Sequence, residues 1–158
     1  MSRRFLEIYL ADHHAGSTAG LELAKRTARS NRGTPVGEAL ERLAAEIEAD
    51  RQTLRRLIET IDARRSRPKD GLAWSVEKLG RLKPNGRLRE YSPLSRLEEL
   101  EGLSLGVAGK RALWDALAAL PELRSLAEFD FAALSRRAEQ QLVELEGLRR
   151  DAAAQALG

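Results

Sequence analysis

Polar residues interrupt the apolar stripes of four long amphipathic segments, near the middle of each. These residues are Asp12, His13, Asp50, Lys110 and Gln141. A buried polar group is costly unless it finds a partner, so their spacing predicts one shared polar layer. Helical-bundle metalloproteins hold their metals at this level, so the layer is the first candidate for a functional site. The pattern leaves open whether Asp12, His13 or the adjacent His14 faces the core.

The heights of the polar residues agree along the predicted helix axes. We take the first and fourth segments to run up and the other two to run down, at about 1.5 Å per residue. The polar residues then fall within about one helical turn of each other. A lone buried cation is strongly unfavourable, whereas a carboxylate beside it offsets the cost of desolvation. We therefore predict that Lys110 is buried against Asp50, with Asp12 as the second candidate partner.

Four long helices must position this layer. The first is predicted for residues 2–30 and ends at Gly33, because glycine tolerates the left-handed conformation of a helix C-terminus. Thr34 caps the second helix, Ser92 precedes the third and Asp130 caps the fourth. Two connections are short, and one of about thirty residues lies between the second and third helices. This predicts an all-α, up-down-down-up four-helix bundle in one domain, residues 1–158.

The long connection is strongly basic. Between residues 64 and 89 nine basic residues face only two acidic ones, a balance of +7 that leaves −4 for the rest of the chain. The basic residues are Arg64, Arg65, Arg67, Lys69, Lys78, Arg81, Lys83, Arg87 and Arg89. We predict a crossover containing a short helix, with Trp74 anchored on the bundle. The pattern favours a solvated connector over an anion-binding or nucleic-acid-binding surface.

Composition excludes several classes of function. The chain has no cysteine, so disulfides, thiolate metal ligands and thiol nucleophiles are excluded. No run approaches the roughly 20 apolar residues of a membrane span, and the first residues do not form a secretory signal. We therefore expect a cytoplasmic protein that has no membrane partner.

The four segments together resemble the ferritin-like superfamily, in particular its bacterioferritin-type di-iron members. The stretch from Leu10 to Gly16 is similar to the ligand-bearing segment of the family's first helix, with His13 at the position of the glutamate ligand. In the second helix the resemblance puts Asp50 and Thr53 on the family's Glu-x-x-His pair. In the fourth it puts Ala138 and Gln141 there. The third helix is ambiguous, because residues 99–102 resemble the motif whereas the heights favour residues 105–110.

The resemblance therefore implies a ferritin-like fold without its di-iron site. Neither Glu-x-x-His motif is present, and a di-iron site needs several carboxylates to balance its charge. We expect no metal and no other cofactor, with Lys110 supplying the cation of a vestigial site.

Two further features of the first helix bear on partners. The helix has one apolar stripe of Phe5, Ile8, Ala19 and Leu23 and a second beside it of Leu6, Leu10, Leu21 and Ala24. Two stripes indicate either two neighbours in the monomer or one neighbour and a partner subunit. Gly16 and Gly20 share their four-residue spacing with Gly102 and Gly106 of the third helix. We interpret these glycines as sites where the two helices approach closely.

These features favour a non-enzymatic bundle that acts through self-association, as a homodimer, or through a protein partner. One alternative is a ferritin-like oxidoreductase with a degenerate mono- or di-metal site. A second is an anion- or nucleic-acid-binding module that uses the basic crossover. The sequence does not identify a small-molecule ligand.

Overall fold

The computed structural model describes residues 3–64 and 91–158, and these residues form four long helices without any strand. The helices are α1 (Arg3–Ser30), α2 (Pro35–Ala63), α3 (Pro93–Ala118) and α4 (Phe131–Leu157), with a short 3-10 helix (Pro121–Leu123) before α4. The predicted all-α class is confirmed. The predicted crossover helix with Trp74 lies outside the described residues. Within the described ranges, none of the helices combines the length and apolar character that a membrane span requires.

The helix ends follow the local signals of the sequence. Gly33 has a φ of 78°, so it reverses the chain between α1 and α2 in a conformation that other residues rarely adopt. The Thr34 hydroxyl accepts a hydrogen bond from the Gly37 amide at 3.1 Å and caps α2. The Ser92 and Asp130 side chains cap α3 and α4 in the same way. Because each cap satisfies an amide that the helix leaves unpaired, the helices begin where the sequence predicts.

The apolar core is divided into two clusters. One lies toward the α1–α2 turn and contains Leu21, Ala24, Ala28, Leu40, Leu43, Ala44, Ile47, Leu97, Leu100, Leu103, Val107, Ala138, Leu145 and Ala152. The other lies toward the α3–α4 connection and contains Leu6, Leu10, Leu54, Leu57, Ile61, Leu113, Trp114, Leu117, Leu123, Leu126, Phe129 and Phe131. Each of α1, α2 and α3 changes from one cluster to the other near its middle, whereas α4 changes between Leu134 and Ala138, close to its start. The polar layer lies near this change.

The helices pack as two pairs, α1 with α2 and α3 with α4, and α1 also packs on α3. The end of α1 lies beside the start of α3, since the buried Asn31 amide nitrogen donates to the Tyr91 hydroxyl at 2.7 Å. Close to this contact, Arg26 forms an ion pair with Glu99 at 2.9 Å. These contacts fix which end of α1 meets which end of α3.

The glycines of α1 and α3 do not serve a close approach of the two helices, except at Gly102. A Cβ atom added to Gly102 would lie 3.2 Å from a methyl carbon of Leu23. A Cβ added to Gly16, Gly20 or Gly106 would meet no described atom within 4 Å. The predicted explanation is therefore wrong for these three glycines, because their open sides do not face the neighbouring helix.

Candidate functional site

The Lys110 ammonium group is the centre of the polar layer. Its Nζ atom donates to Asp50 Oδ2 at 2.6 Å and also to the Gln141 side-chain oxygen. The Asp50 side chain is 2% exposed and that of Lys110 is 14% exposed. The predicted contact between the two residues is therefore present, and Gln141 joins it.

Two residues that the sequence analysis did not single out complete the network. The Arg137 guanidinium donates to Asp50 Oδ1, so each carboxylate oxygen of Asp50 accepts from a different cation. The Gln141 side-chain nitrogen donates to Glu46 Oε2 at 2.6 Å. The hydrogen bonds thus run from Glu46 through Gln141, Lys110 and Asp50 to Arg137, and they join α2, α3 and α4.

Helical spacing explains why these residues meet. Glu46 and Asp50 are four residues apart on α2, and Arg137 and Gln141 are four residues apart on α4. Residues at this spacing lie one above the other on the same helix face. Two polar residues of α2 therefore face two of α4, and Lys110 reaches both pairs from α3.

The network is balanced in charge. It contains two carboxylates, Glu46 and Asp50, and two cations, Lys110 and Arg137. Burial lowers the pKa of Lys110 from its ordinary value, and the charge of Arg137 lowers it further, whereas Asp50 and Glu46 oppose the change. Each charge has a partner, which limits the cost of placing ions in a low-dielectric interior.

The residues of α1 do not take the places predicted for them in the layer. Asp12 is exposed, so its prediction as a buried member and second partner of Lys110 is wrong. His13 is half-buried and packs edge-on against the Tyr9 ring, with 4.5 Å between ring centroids, and burial lowers its pKa. His14 is half-buried on the side of α2, where burial and then Arg51 lower its pKa. The core face of α1 is set by Leu6, Leu10 and Leu21, which turns Asp12 outward.

The layer does not fit a pair of metal ions. At the positions that the resemblance assigns to the metal ligands, Ala138 has no donor atom and the Thr53 hydroxyl donates to the Ala49 carbonyl oxygen at 3.0 Å. Both oxygens of Asp50 are already bound by cations. Among residues 3–64 and 91–158, no three carboxylate or imidazole side chains are placed to share a metal.

The predicted anion-binding positions from Arg65 to Arg89 lie outside the described residues. Arg64 is the one member of this set within them. Its guanidinium donates to the Ser125 hydroxyl at 3.2 Å on the surface.

No protein-family model, curated protein or solved structure matches this chain. The ferritin-like resemblance therefore stays a prediction.

Proposed function

We propose that this chain is a metal-free, ferritin-like four-helix bundle that acts by associating with another protein chain. One observation carries the proposal: a charge-balanced network, centred on Lys110, occupies the layer in which such bundles bind metal. The ammonium group takes the place of the metal charge, so the interior is stabilised without a cofactor.

The helix contacts support the up-down-down-up topology that this proposal includes. Between α2 and α4, Arg42 pairs with Glu144, Glu46 with Gln141 and Asp50 with Arg137, so one helix descends as the other ascends. Between α3 and α4 the same reversal holds for four contacts, which join Arg96 to Gln155, Glu101 to Arg149, Arg111 to Glu139 and Asp115 to Ser135. The contact between the end of α1 and the start of α3 supports an antiparallel arrangement of these two helices.

The network offers little for catalysis. Both Asp50 oxygens accept from cations, and both polar atoms of the Gln141 amide are engaged. A substrate that bound Lys110 would break these bonds and leave a largely desolvated charge without its partner, which is costly. The arrangement therefore favours a structural role for the layer.

Exposed apolar side chains support association. On α1 and α3, Phe5 is 71% exposed, Ile8 40% and Leu105 76%. Phe5 and Ile8 are three residues apart on α1, so they lie on one side of that helix. Large apolar side chains that share one surface are typical of protein–protein contacts.

Metal content tests the proposal. Untagged protein is incubated with excess ferrous iron under anaerobic conditions, desalted, and analysed for transition metals by mass spectrometry. We expect less than about 0.1 metal per chain, because the layer lacks the carboxylates that a metal site needs. About two metals per chain in the wild type, lost in Asp50→Ala, would refute the proposal.

A further inference from the structure

We propose that the polar layer sets the alignment of the α3–α4 pair against the α1–α2 pair, because other alignments would separate its buried charges. This inference goes beyond the proposed function, since it concerns how one arrangement of the four helices is selected. Three features of the molecule carry it: the connection between the pairs, the apolar repeat of the helices, and the position of the layer between the pairs.

Short connections join the helices within each pair, whereas the connection between the pairs is long. The turn of Gly33 joins α1 to α2, and residues 119–130 join α3 to α4. Residues 64–92 separate α2 from α3. A chain can span about 3.3 Å per residue, so a connection of this length can join the pairs in many alignments. The observed alignment therefore depends on contacts between the helices.

The apolar repeat of the helices does not select one alignment by itself. In α2, α3 and α4 the polar residue of the layer has one leucine seven residues before it and another seven residues after it. These series are Leu43, Asp50 and Leu57 in α2, Leu103, Lys110 and Leu117 in α3, and Leu134, Gln141 and Leu148 in α4. Residues seven apart lie on nearly the same side of a helix, about 10.5 Å apart along its axis. A shift by one repeat would therefore place leucines opposite leucines again.

The polar layer joins the two pairs near their centre. Asp50 belongs to α2, and its two oxygens accept from Lys110 of α3 and Arg137 of α4. Glu46 of α2 accepts from Gln141 of α4 at 2.6 Å. A shift of one helical turn, about 5 Å, would carry the buried Asp50 carboxylate away from its cations, which is strongly unfavourable. The observed alignment pairs all of these groups.

Other features oppose a shift less strongly. Exposed ion pairs also join the helix pairs, but water and salt screen such contacts. The hydrogen bond between Asn31 and Tyr91 lies at one end of the bundle, before α3 begins. A shift of one turn withdraws only about an eighth of a 40 Å helix from the contact. The exposed ion pairs are Arg26 with Glu99 and Arg42 with Glu144.

An apolar layer should preserve stability but lose this selection. The triple variant Asp50→Leu, Lys110→Leu and Gln141→Leu continues each leucine series through the layer. Apolar residues often replace a buried ion pair without loss of stability, whereas a uniform leucine core packs in more than one way. We expect this variant to keep its helix content by circular dichroism and to unfold at a higher urea concentration than Asp50→Leu alone.

Double electron–electron resonance between spin labels on the full chain measures the alignment, and the chain has no cysteine of its own. Labels at Glu41→Cys in α2 and Ala132→Cys in α4 occupy exposed positions of the two pairs. These positions are offset by about 21 Å along the bundle axis, and a shift of one turn changes the offset by about 5 Å. We expect one narrow distance distribution when the layer is intact. In the triple variant we expect a second distance, or a distribution wider by at least about 5 Å.

A label pair within one helix pair separates a change of alignment from general loosening. Glu22→Cys and Gln52→Cys place labels at exposed positions of α1 and α2, which the Gly33 turn joins. Their distance should stay narrow in the triple variant.

A matched variant controls for substitutions in the core. Leu43→Met, Leu103→Met and Leu134→Met change three residues of the same series to side chains of similar volume, and they leave the polar layer intact. With these changes the distance between the labels on α2 and α4 should stay single.

Four results would overturn the inference. One is a single narrow distance between α2 and α4 in the triple variant, as in the protein with an intact layer. Another is equal broadening of both label pairs, which would indicate loosening of the whole bundle. A third is loss of helix content in the triple variant, because the layer would then be needed for folding itself. The last is a second distance in the methionine variant, because a disturbed core would then suffice. Metal content tests the proposed function separately.

Discussion

Replacement of Asp50 is the sharpest test of the polar layer. Asp50→Leu removes the carboxylate that accepts from both Lys110 and Arg137. Lys110, whose side chain is 14% exposed, then keeps only the uncharged Gln141 oxygen as a partner, whereas Arg137 can turn toward solvent. Because one partner of a buried ion pair is lost, we expect the free energy of unfolding to fall by about 3–5 kcal/mol.

Replacement of Lys110 should lower the free energy of unfolding by a smaller amount. In Lys110→Met, the Gln141 oxygen and Asp50 Oδ2 each lose a donor, but the Asp50 carboxylate keeps Arg137 as its counter-ion. An unsatisfied buried acceptor costs about 1–3 kcal/mol. If the two changes were independent, the double variant would therefore lose about 4–8 kcal/mol.

The double variant should instead recover much of the loss. Leu and Met fill the layer with apolar groups, and Arg137, whose side chain is 37% exposed, can turn toward solvent. We expect the double variant to lose about 2–4 kcal/mol, so the midpoints of the two ranges differ by a coupling of about 3 kcal/mol between the two positions.

Urea denaturation followed by circular dichroism at 222 nm measures these free energies, and equal m-values would show that the unfolded states are comparable. The control is the exposed ion pair between Arg42 and Glu144, which also joins α2 to α4, with side chains 65% and 44% exposed. Its double-mutant cycle should give a coupling below about 1 kcal/mol. A coupling for Asp50 and Lys110 no larger than that of the control would refute the reasoning.

Three further predictions follow from local geometry, each measured by urea denaturation. Gly37→Ala should destabilise the protein by about 1–3 kcal/mol, because the added methyl group collides with the Asn31 carbonyl; an unchanged midpoint would contradict this. Gly147→Ala, which meets no described atom, should stabilise it by about 0.5–1 kcal/mol, whereas Gly102→Ala should gain less because a side-chain carbon lies 3.2 Å away. Burial and two nearby arginines hold the pKa of His14 below its ordinary value of 6.5, so the unfolded chain binds this proton more tightly. Stability should therefore fall as the pH drops below about 6.5, and His14→Gln should flatten this dependence.

The helices and much of the layer could be predicted because the signals are local. Thr34 and Asp130 are helix caps whose function depends on a few neighbouring residues. Asp50, Lys110 and Gln141 each interrupt an otherwise apolar stripe, and such an interruption near the middle of a helix is visible in the sequence. Since a buried charge needs a partner, the pairing of Lys110 with Asp50 followed from burial together with the similar heights of the two residues along their helices.

The remaining members of the layer could not be predicted in this way. Glu46 and Arg137 lie at the edges of the apolar stripes, where charged residues usually face solvent. Their only sequence signal is the four-residue distance from Asp50 and from Gln141. The prediction that Asp12 is buried was wrong for a related reason. Because α1 has two apolar stripes, periodicity alone does not decide which one faces the core, and a small rotation of the helix moves this carboxylate to the surface.

The polar layer and the exposed small and apolar residues of α3 lie on opposite sides of this helix. Lys110 points inward, whereas Ala108 and Ala112 face solvent, as residues two apart on a helix do. A change at Lys110 should therefore act on the free energy of unfolding and leave the association of folded chains nearly unaffected. A change at Leu105 should weaken association and leave the free energy of unfolding nearly unaffected, because this side chain contributes little to the interior. The paired charges of the interior and the exposed apolar side chains of α1 and α3 are the observations behind our proposal that this bundle works by association rather than by catalysis.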